Sequence, residues 1–409
     1  MNIKEFTENK EISINCCIQK IKNAGNIKLI KLRTDRYIIQ GTCKDVSEIC
    51  EGMYVAVTGT VRTEPRADYG FEIEISDFKI ISRPECTPEI SISGKTIDCS
   101  IDLNIQNRIA TLRHPDERAV FRINESITSA FRKYMSENDF TEIHTPKISN
   151  TAMGNESKSF KIDYFDTDAY LVRTPQLYKQ AAVAYFDRVY EIGPVYKNER
   201  RNSSRHLNEF IRLDAEIGYI NEIEDILKTE TELIKFIINH LKEKNTHELN
   251  LLNATLPDVS SIPVLKFEEV FEILNKKCLQ STLDPTDETR ICEYIKKSRN
   301  SDFVYIVNLP TEKQPFYAMP GRGFSLLYKG MEISNGGQRI HNYIELIKSI
   351  TQKNISTDGL DDYLNIFRYG VPPHGGFSIG LERFVMQLLS LNNIRRASLF
   401  PRDLHHLRP

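Results

Sequence analysis

The stretch VYEIGPVYKNERRNSSRHLNEFIRLDAEIGYI, residues 189–220, decides the fold. It opens with a strand-like run, Val189 to Tyr196, broken by Gly193-Pro194. A charged loop follows, with Lys197, Glu199, Arg200, Arg201, Arg205 and His206. A second β-rich run, Phe210 to Ile220, alternates Ile211, Leu213, Ala215 and Ile217 with Arg212, Asp214 and Glu216. Period-two alternation predicts an antiparallel hairpin with its polar groups on one face. Cations in a loop between two strands suit a polyphosphate. Alone, such a charge run is equally a solvated hairpin, so the decision falls to its neighbours.

Composition sets the frame for those neighbours. A chain of 409 residues exceeds one ordinary core, which predicts two or three domains. Its 40% apolar and 27% charged residues are those of a soluble globular protein. The net charge of −2 excludes nothing about nucleic acid, because a binder needs only a local basic face. No apolar run approaches the roughly 18 residues of a membrane span, so no membrane partner is expected. MNIKEFTENKEI has no apolar core of a signal peptide. The eight cysteines are scattered without a CxxC pair, which fits reduced thiols in a cytoplasmic protein.

Residues 1 to about 85 read as β. Runs at Ile12 to Ile18, Ile27 to Leu32, Tyr37 to Thr42, Met53 to Val61 and Phe71 to Ile81 are short and β-branched. With a helical turn near Val46 to Glu51, they predict a small OB-type barrel, a fold that serves both single-stranded nucleic acid and plain interactions. Residues 86–110 read as a hinge. A long amphipathic helix runs from Asp116 to Glu137, followed by a strand over Phe140 to Ile148 that carries Pro146. Further helices are expected at Pro175 to Asp187, Glu222 to Glu243, Phe267 to Lys277 and Ile340 to Gln352. Strands are expected at Phe303 to Asn308, Gly323 to Lys329 and Met331 to Ser334. In PPHGGFSIGLERFVMQLL, Pro372 to Leu389, a Gly-rich strand enters a helix whose first turn holds Glu382 and Arg383. The backbone donors and dipole of that helix start suit an anion, and Arg383 adds a fork of donors.

The helix-then-strand ending at Pro146, the charged hairpin and the Gly-rich strand-to-helix form an ordered trio. The trio resembles the three motifs of class II aminoacyl-tRNA synthetases, in detail the aspartyl-tRNA synthetases of the archaeal and eukaryotic type. The matching segments are TPQLYKQ (Thr174 to Gln180), RHLNE (Arg205 to Glu209), LDAE (Leu213 to Glu216), GGQRIH (Gly336 to His341), YGVPPHGG (Tyr369 to Gly376), GLER (Gly380 to Arg383) and LFPRD (Leu399 to Asp403). Each is weak alone; their order and spacing together carry the resemblance.

The resemblance implies an α+β chain: an OB-fold anticodon-binding-like domain over 1–85, the hinge, and a catalytic domain over 111–409 with an antiparallel sheet flanked by helices. It implies ATP-dependent activation of L-aspartate to an adenylate, then transfer to tRNA for aspartate, with tRNA for asparagine left open as a second acceptor, by a homodimer joined through the Asp116 to Glu137 helix and the strand around Pro146. Arg383 matches the arginine at the ATP γ-phosphate, Glu199 the residue that meets adenine, and Glu332 a ligand of Mg2+. Arg205 and His206 lie in the loop that meets ATP and the tRNA end. Lys179 and Arg339 match the pair that holds the aspartate side chain, with Gln176 and Asp214 ordering the lysine and the α-amino end. Lys179 argues against the asparaginyl and lysyl relatives. Arg33 and Glu72 fall where relatives read the anticodon.

Departures cluster at the reaction centre. The arginine that meets the α-phosphate in relatives is Lys197, which keeps the charge and loses the planar fork. A metal-binding aspartate is Ser325, and a serine is Asn335. The Glu-Gly-Gly loop reads Met153-Gly154-Asn155-Glu156. In the barrel, the stacking phenylalanine is Leu29, and Pro65 lies in a loop tied to tRNA choice in relatives. Two alternatives to a working synthetase stay open: a diverged paralogue that activates an amino acid for another acceptor or acts as a resistance or biosynthetic copy, and a non-catalytic binding module.

Overall fold

A computed structural model describes residues 3–44, 48–94, 96–152, 156–277 and 282–407. The chain forms two compact units, 1–100 and 101–409. In the first, β1 (Glu11–Ala24), β2 (Ile27–Arg33), β3 (Ile38–Cys43), β4 (Tyr54–Thr63) and β5 (Phe71–Ser82) close into a barrel of order β1-β2-β3-β5-β4. Alternation drives the closure: Ile30, Leu32, Val55, Val57 and Ile73 point inward and are buried, while their neighbours face out. All five strands fall where the β-branched runs place them. Of the helical turn expected near Val46 to Glu51, residues 48–51 form no helix, and the rest lies outside the described residues.

The second unit begins with α1 (Ile101–Gln106) and α2 (Arg108–Thr111). Residues 101–106 and 108–110, expected in the hinge, are therefore helical. Arg108 explains why. Its buried guanidinium bonds Glu117 at 2.8 Å and donates to the carbonyls of Ser398 and Leu399, both at 2.9 Å. A buried arginine needs such partners, and they tie α2 to the C-terminal segment.

Next come α3 (Pro115–Glu137) and β6 (Thr141–Glu142), then a small sheet of β7 (Ile148–Ser149), β8 (Lys161–Tyr164) and β9 (Thr167–Leu171). His114 caps α3 by accepting from Asp116 N, and Pro115 starts the helix without losing a bond. The single strand expected over Phe140 to Ile148 is two short ones. Pro146 lacks an N–H and holds its predecessor extended, so the ladder breaks there. Thr145 N donates instead to the Glu191 carboxylate at 2.9 Å.

The remaining elements are α4 (Gln176–Phe186), β10 (Arg188–Tyr196), β11 (Glu209–Gly218), α5 (Ile223–Lys244), α6 (Thr246–Leu251), β12 (Val264–Lys266), α7 (Phe267–Ile273), α8 (Pro285–Arg299), β13 (Phe303–Val307), β14 (Ala318–Tyr328), β15 (Met331–Arg339), α9 (Tyr343–Gln352), α10 (Asp361–Tyr369), β16 (His374–Gly380) and α11 (Leu381–Leu388). The eight-stranded sheet has the order β12-β13-β14-β15-β16-β11-β10-β6 and is mostly antiparallel. Its two faces differ. Leu213, Ala215, Phe377, Ile379 and Ile333 join a core with Val120, Ile123, Ile127 and Phe131 of α3 and with α5. Each of these side chains larger than alanine contributes about 1.5–3 kcal/mol by leaving water. The other face carries Arg212, Asp214 and Glu216 beside Ser378, Asn335 and Arg339. No described helix is long and apolar enough to cross a membrane.

Candidate active site

On that polar face lies a cavity of about 450 Å3, lined among others by Gln176, Arg212, Ser325, Glu332, Arg339 and Arg383. Strand register builds it. Asp214 pairs with Ser378 and Glu216 with Gly376 across β11–β16; Asn335 pairs with Ser378 across β15–β16. Gly376 is required here, because a Cβ would overlap Glu216 and the Ala215 carbonyl.

The closed end of the cavity is a knot of charges. Arg339 Nε lies 2.9 Å from Glu216 Oε1, and its Nη2 donates to Gln176 Oε1 at 3.3 Å and to the Gly376 carbonyl at 3.1 Å. Lys179 Nζ donates to Asp214 Oδ1 at 2.9 Å and lies 3.3 Å from Glu216 Oε2, an ion-pair distance. Burial alone would push the Glu216 carboxyl up; Arg339 and Lys179 outweigh it and hold the group down at about 2. Gln176 keeps a buried amide nitrogen without a partner. The structure thus brings Gln176, Lys179, Asp214 and Arg339 together. Gln176 and Arg339 line the cavity, while Lys179, wholly buried, and Asp214 lie one layer beneath.

The open end carries Arg383, whose Nη1 donates to the Glu332 carbonyl at 2.9 Å. Ser325 Oγ donates to Glu332 Oε2 at 2.6 Å, and Asn335 Nδ2 to Oε1 at 3.2 Å. Glu288 on α8 lies close by. Burial and the Glu332 charge push its carboxyl up to about 7, although Arg205 pairs with it at 3.1 Å. No group of three or more His, Cys, Asp or Glu placed to hold a metal occurs among the described residues. The donors present, two carboxylates and a hydroxyl, are nonetheless hard oxygens of the kind Mg2+ takes.

A side cavity of about 220 Å3 is lined by Lys197, Arg205, His206, Arg212 and Arg383, among others. Lys197 Nζ lies 3.1 Å from Glu199 Oε2. Burial would raise the Glu199 carboxyl, and that lysine outweighs it and holds it below the usual range. Burial and then Arg383 hold His206 down at about 4, so its ring is neutral at pH 7 and accepts or donates with Ser203 Oγ at 2.7 Å. The arrangement sets fixed cations around a deep cleft, closed at one end by a cation and open at the other toward a carboxylate pair.

The family described as tRNA synthetases class II (D, K and N) matches residues 100–404. The chain belongs to the class II tRNA synthetases. An aspartate–tRNA(Asp/Asn) ligase of Deinococcus radiodurans is 35% identical over 420 residues, 98% of this chain and 96% of the relative. An aspartate–tRNA(Asp) ligase of Thermococcus kodakarensis is 35% identical over 430 residues, 100% of this chain and 98% of the relative. The aspartyl-tRNA synthetase of Entamoeba histolytica superposes with a TM-score of 0.88 at 27% identity, covering 100% of this chain and 92% of that one.

Within this synthetase several facing residues had been given no role in the sequence. Glu216 and Arg212 stand with Asp214 in the alternation of the second strand, and only Asp214 matched a site residue through the resemblance. Glu288 escaped because α8 was not expected, although Asp284-Pro285 is a helix-start signal and Asp284 caps Thr286 and Asp287. Residues 153–155 and the Glu156 side chain lie outside the described residues. In the barrel unit, Leu29, Lys31 and Arg33 alternate with the buried Ile30 and Leu32 and so face outward. Leu29 pairs with Thr42, whose hydroxyl donates to Glu72 at 3.4 Å; Gln40 donates to the same carboxylate at 2.8 Å. Arg33 lies farther along β2, where its Nη2 meets the Tyr54 hydroxyl at 3.4 Å.

Proposed function

We propose that this chain is an aspartate–tRNA ligase, which activates L-aspartate with ATP and transfers the aspartyl group to tRNA. The observation that carries the substrate is Arg339 at the closed end of the cavity. A guanidinium there, its direction set by Glu216, offers remaining donors to a side-chain carboxylate, while Lys179 beneath holds Glu216 and Asp214. Gln176, with its unpartnered amide nitrogen, is the neutral polar group beside it.

ATP lies toward Arg383, Arg205 and His206. In the first step a carboxylate oxygen of aspartate forms a bond to the α-phosphorus, and the bond to the bridging oxygen breaks to release pyrophosphate. Arg383 receives charge on the terminal phosphate. Neutral His206 offers a hydrogen bond without adding charge. Glu332, with Glu288 and the Ser325 hydroxyl, would hold Mg2+, which neutralises phosphate oxygens when bound. A hydroxyl of the terminal ribose of tRNA then bonds to the acyl carbon, giving up its proton as the acyl–phosphate bond breaks and AMP leaves, and the outer face around Leu29, Arg33 and Glu72 reads the anticodon. Homodimerisation through the Asp116 to Glu137 helix and the segment around Pro146, and a cytoplasmic location, complete this reading.

Exchange of labelled pyrophosphate into ATP tests the first step. It should depend on L-aspartate and be absent with L-asparagine and L-lysine. Charging of purified tRNA for aspartate tests the second, and charging of tRNA for asparagine sets the range. Aspartate-independent exchange, or exchange with charging of neither tRNA, overturns the reading.

A further inference from the structure

Arg212 stands where three cavities of the active-site region meet. The 450 Å3 cavity, the 220 Å3 side cavity and a neighbouring cleft of about 1130 Å3 share only Arg212 and Asn335 among their described lining residues. Along β11 the side chains facing the site are Glu216, Asp214 and Arg212. Glu216 grips Arg339 at the amino-acid end. Arg212 is four residues further on, roughly 13 Å of strand at about 3.3 Å per residue, toward Arg383. The point where an amino-acid carboxylate meets an α-phosphorus must lie between those ends.

The guanidinium is fixed and unspent. Nη1 donates to Ser378 Oγ at 3.0 Å, and the group stands 5.7 Å from the Phe210 ring centroid. Nε is buried with no partner. No carboxylate among the described residues lies within ion-pair distance of it. Lys179, Lys197, Arg205 and Arg339 each face one. Lys197 is a point charge already committed to Glu199, and it lines only the side cavity.

We propose that Arg212 is a catalytic residue that donates to the non-bridging oxygens of the α-phosphate as the aspartyl carboxylate attacks. This rests on the ligase reading above. The step balances without a proton. The new bond joins carboxylate oxygen to phosphorus, the bond to the bridging oxygen breaks, and its electron pair leaves with pyrophosphate. Charge on the equatorial oxygens grows in the transition state, and a planar fork held by Ser378 and Phe210 meets it without reorganising.

Aspartate-dependent pyrophosphate exchange by the full chain tests the assignment. Arg212→Ala should lower kcat by about 10²–10³-fold, the usual cost of one preorganised donor, with KM for aspartate within about threefold. Arg212→Lys should recover less than a tenth of the lost rate, because a point charge does not replace the fork. Millimolar guanidinium should restore part of the Arg212→Ala rate, and the second change Lys197→Arg should restore part as well. A merely structural arginine would show neither rescue. A drop of less than about threefold in either variant, a loss confined to KM for aspartate, or no rescue in folded Arg212→Ala overturns the proposal. Should Arg212→Ala not fold, an Arg212→Lys rate equal to wild type overturns it alone. A wild-type chain that shows no exchange would remove the ligase reading and this proposal together, whereas robust wild-type exchange with unaffected variants removes only the latter.

Discussion

Arg339 Nε and Glu216 Oε1 lie 2.9 Å apart at the closed end of the cavity, and the same carboxylate faces Lys179 through its other oxygen at 3.3 Å. Two cations and the carboxylates of Glu216 and Asp214 make the buried knot neutral overall. A bound aspartate side chain must therefore draw on donors that Arg339 has left over, not on excess charge. That makes Glu216 the residue that decides where Arg339 points.

Glu216→Gln should loosen that direction and leave Lys179 and Arg339 with one carboxylate fewer. Breaking a buried pair costs about 3–5 kcal/mol, read as a lower urea midpoint, and KM for aspartate should rise at least about tenfold. Wild-type pH dependence checks the same group. Its folded pKa of about 2 is below the ordinary 4.5, so its stabilisation is fully present above 4.5 and is lost as pH falls toward 2. A Glu216→Gln chain with an unchanged urea midpoint at pH 7 would contradict this account.

Glu230 behaves in the opposite sense. It is wholly buried on α5, accepts from Ser334, and burial pushes its carboxyl up to about 7. With a folded pKa above the ordinary 4.5, its contribution is fully present below 4.5 and is lost as pH rises through 7. Glu230→Gln keeps an acceptor and removes the titration. The wild type should lose on the order of 2–3 kcal/mol between pH 5 and 8 relative to the variant. Parallel stability profiles for the two chains over that range would refute the assignment.

The hairpin at 188–218 was legible because period-two alternation is a local signal, and the barrel was legible for the same reason. The resemblance also picked out Arg339, Glu332 and Arg383, which line one cavity. What the sequence hid are pairings made by the fold. Glu216 meets Arg339 across 123 positions, and Arg108 meets Leu399 across 291, so neither partner is visible from its own neighbourhood. The strand expected through Pro146 failed where proline chemistry outvoted β propensity. Helix α8 was missed despite its Asp284 cap, because Cys292, Ile291 and Ile295 give a thin apolar stripe among many charges.

His206 offers a spectroscopic check on the open end. Burial and the nearby Arg383 hold its ring at about 4, so the free protein should keep a neutral imidazole throughout pH 5–8. A bound triphosphate would bring negative charge beside it and cancel part of the Arg383 field. The ring pKa, followed by nitrogen chemical shifts, should rise by at least about one unit when a non-hydrolysable ATP analogue is added. An unmoved or falling pKa would place the triphosphate away from His206 and Arg383.

Leu29 tests the barrel. Its side chain lies on the outward row of β2, half-buried, in register with Thr42 beside Glu72. An aliphatic side chain there offers contact area but no ring for a base to stack on. Base–aromatic stacking is worth about 1–3 kcal/mol, so Leu29→Phe should tighten tRNA binding by roughly 5- to 150-fold. The gain should appear in KM for tRNA and leave aspartate-dependent pyrophosphate exchange unchanged, since exchange needs no tRNA. A Leu29→Phe chain with unaltered KM for tRNA would show that bases do not reach this face.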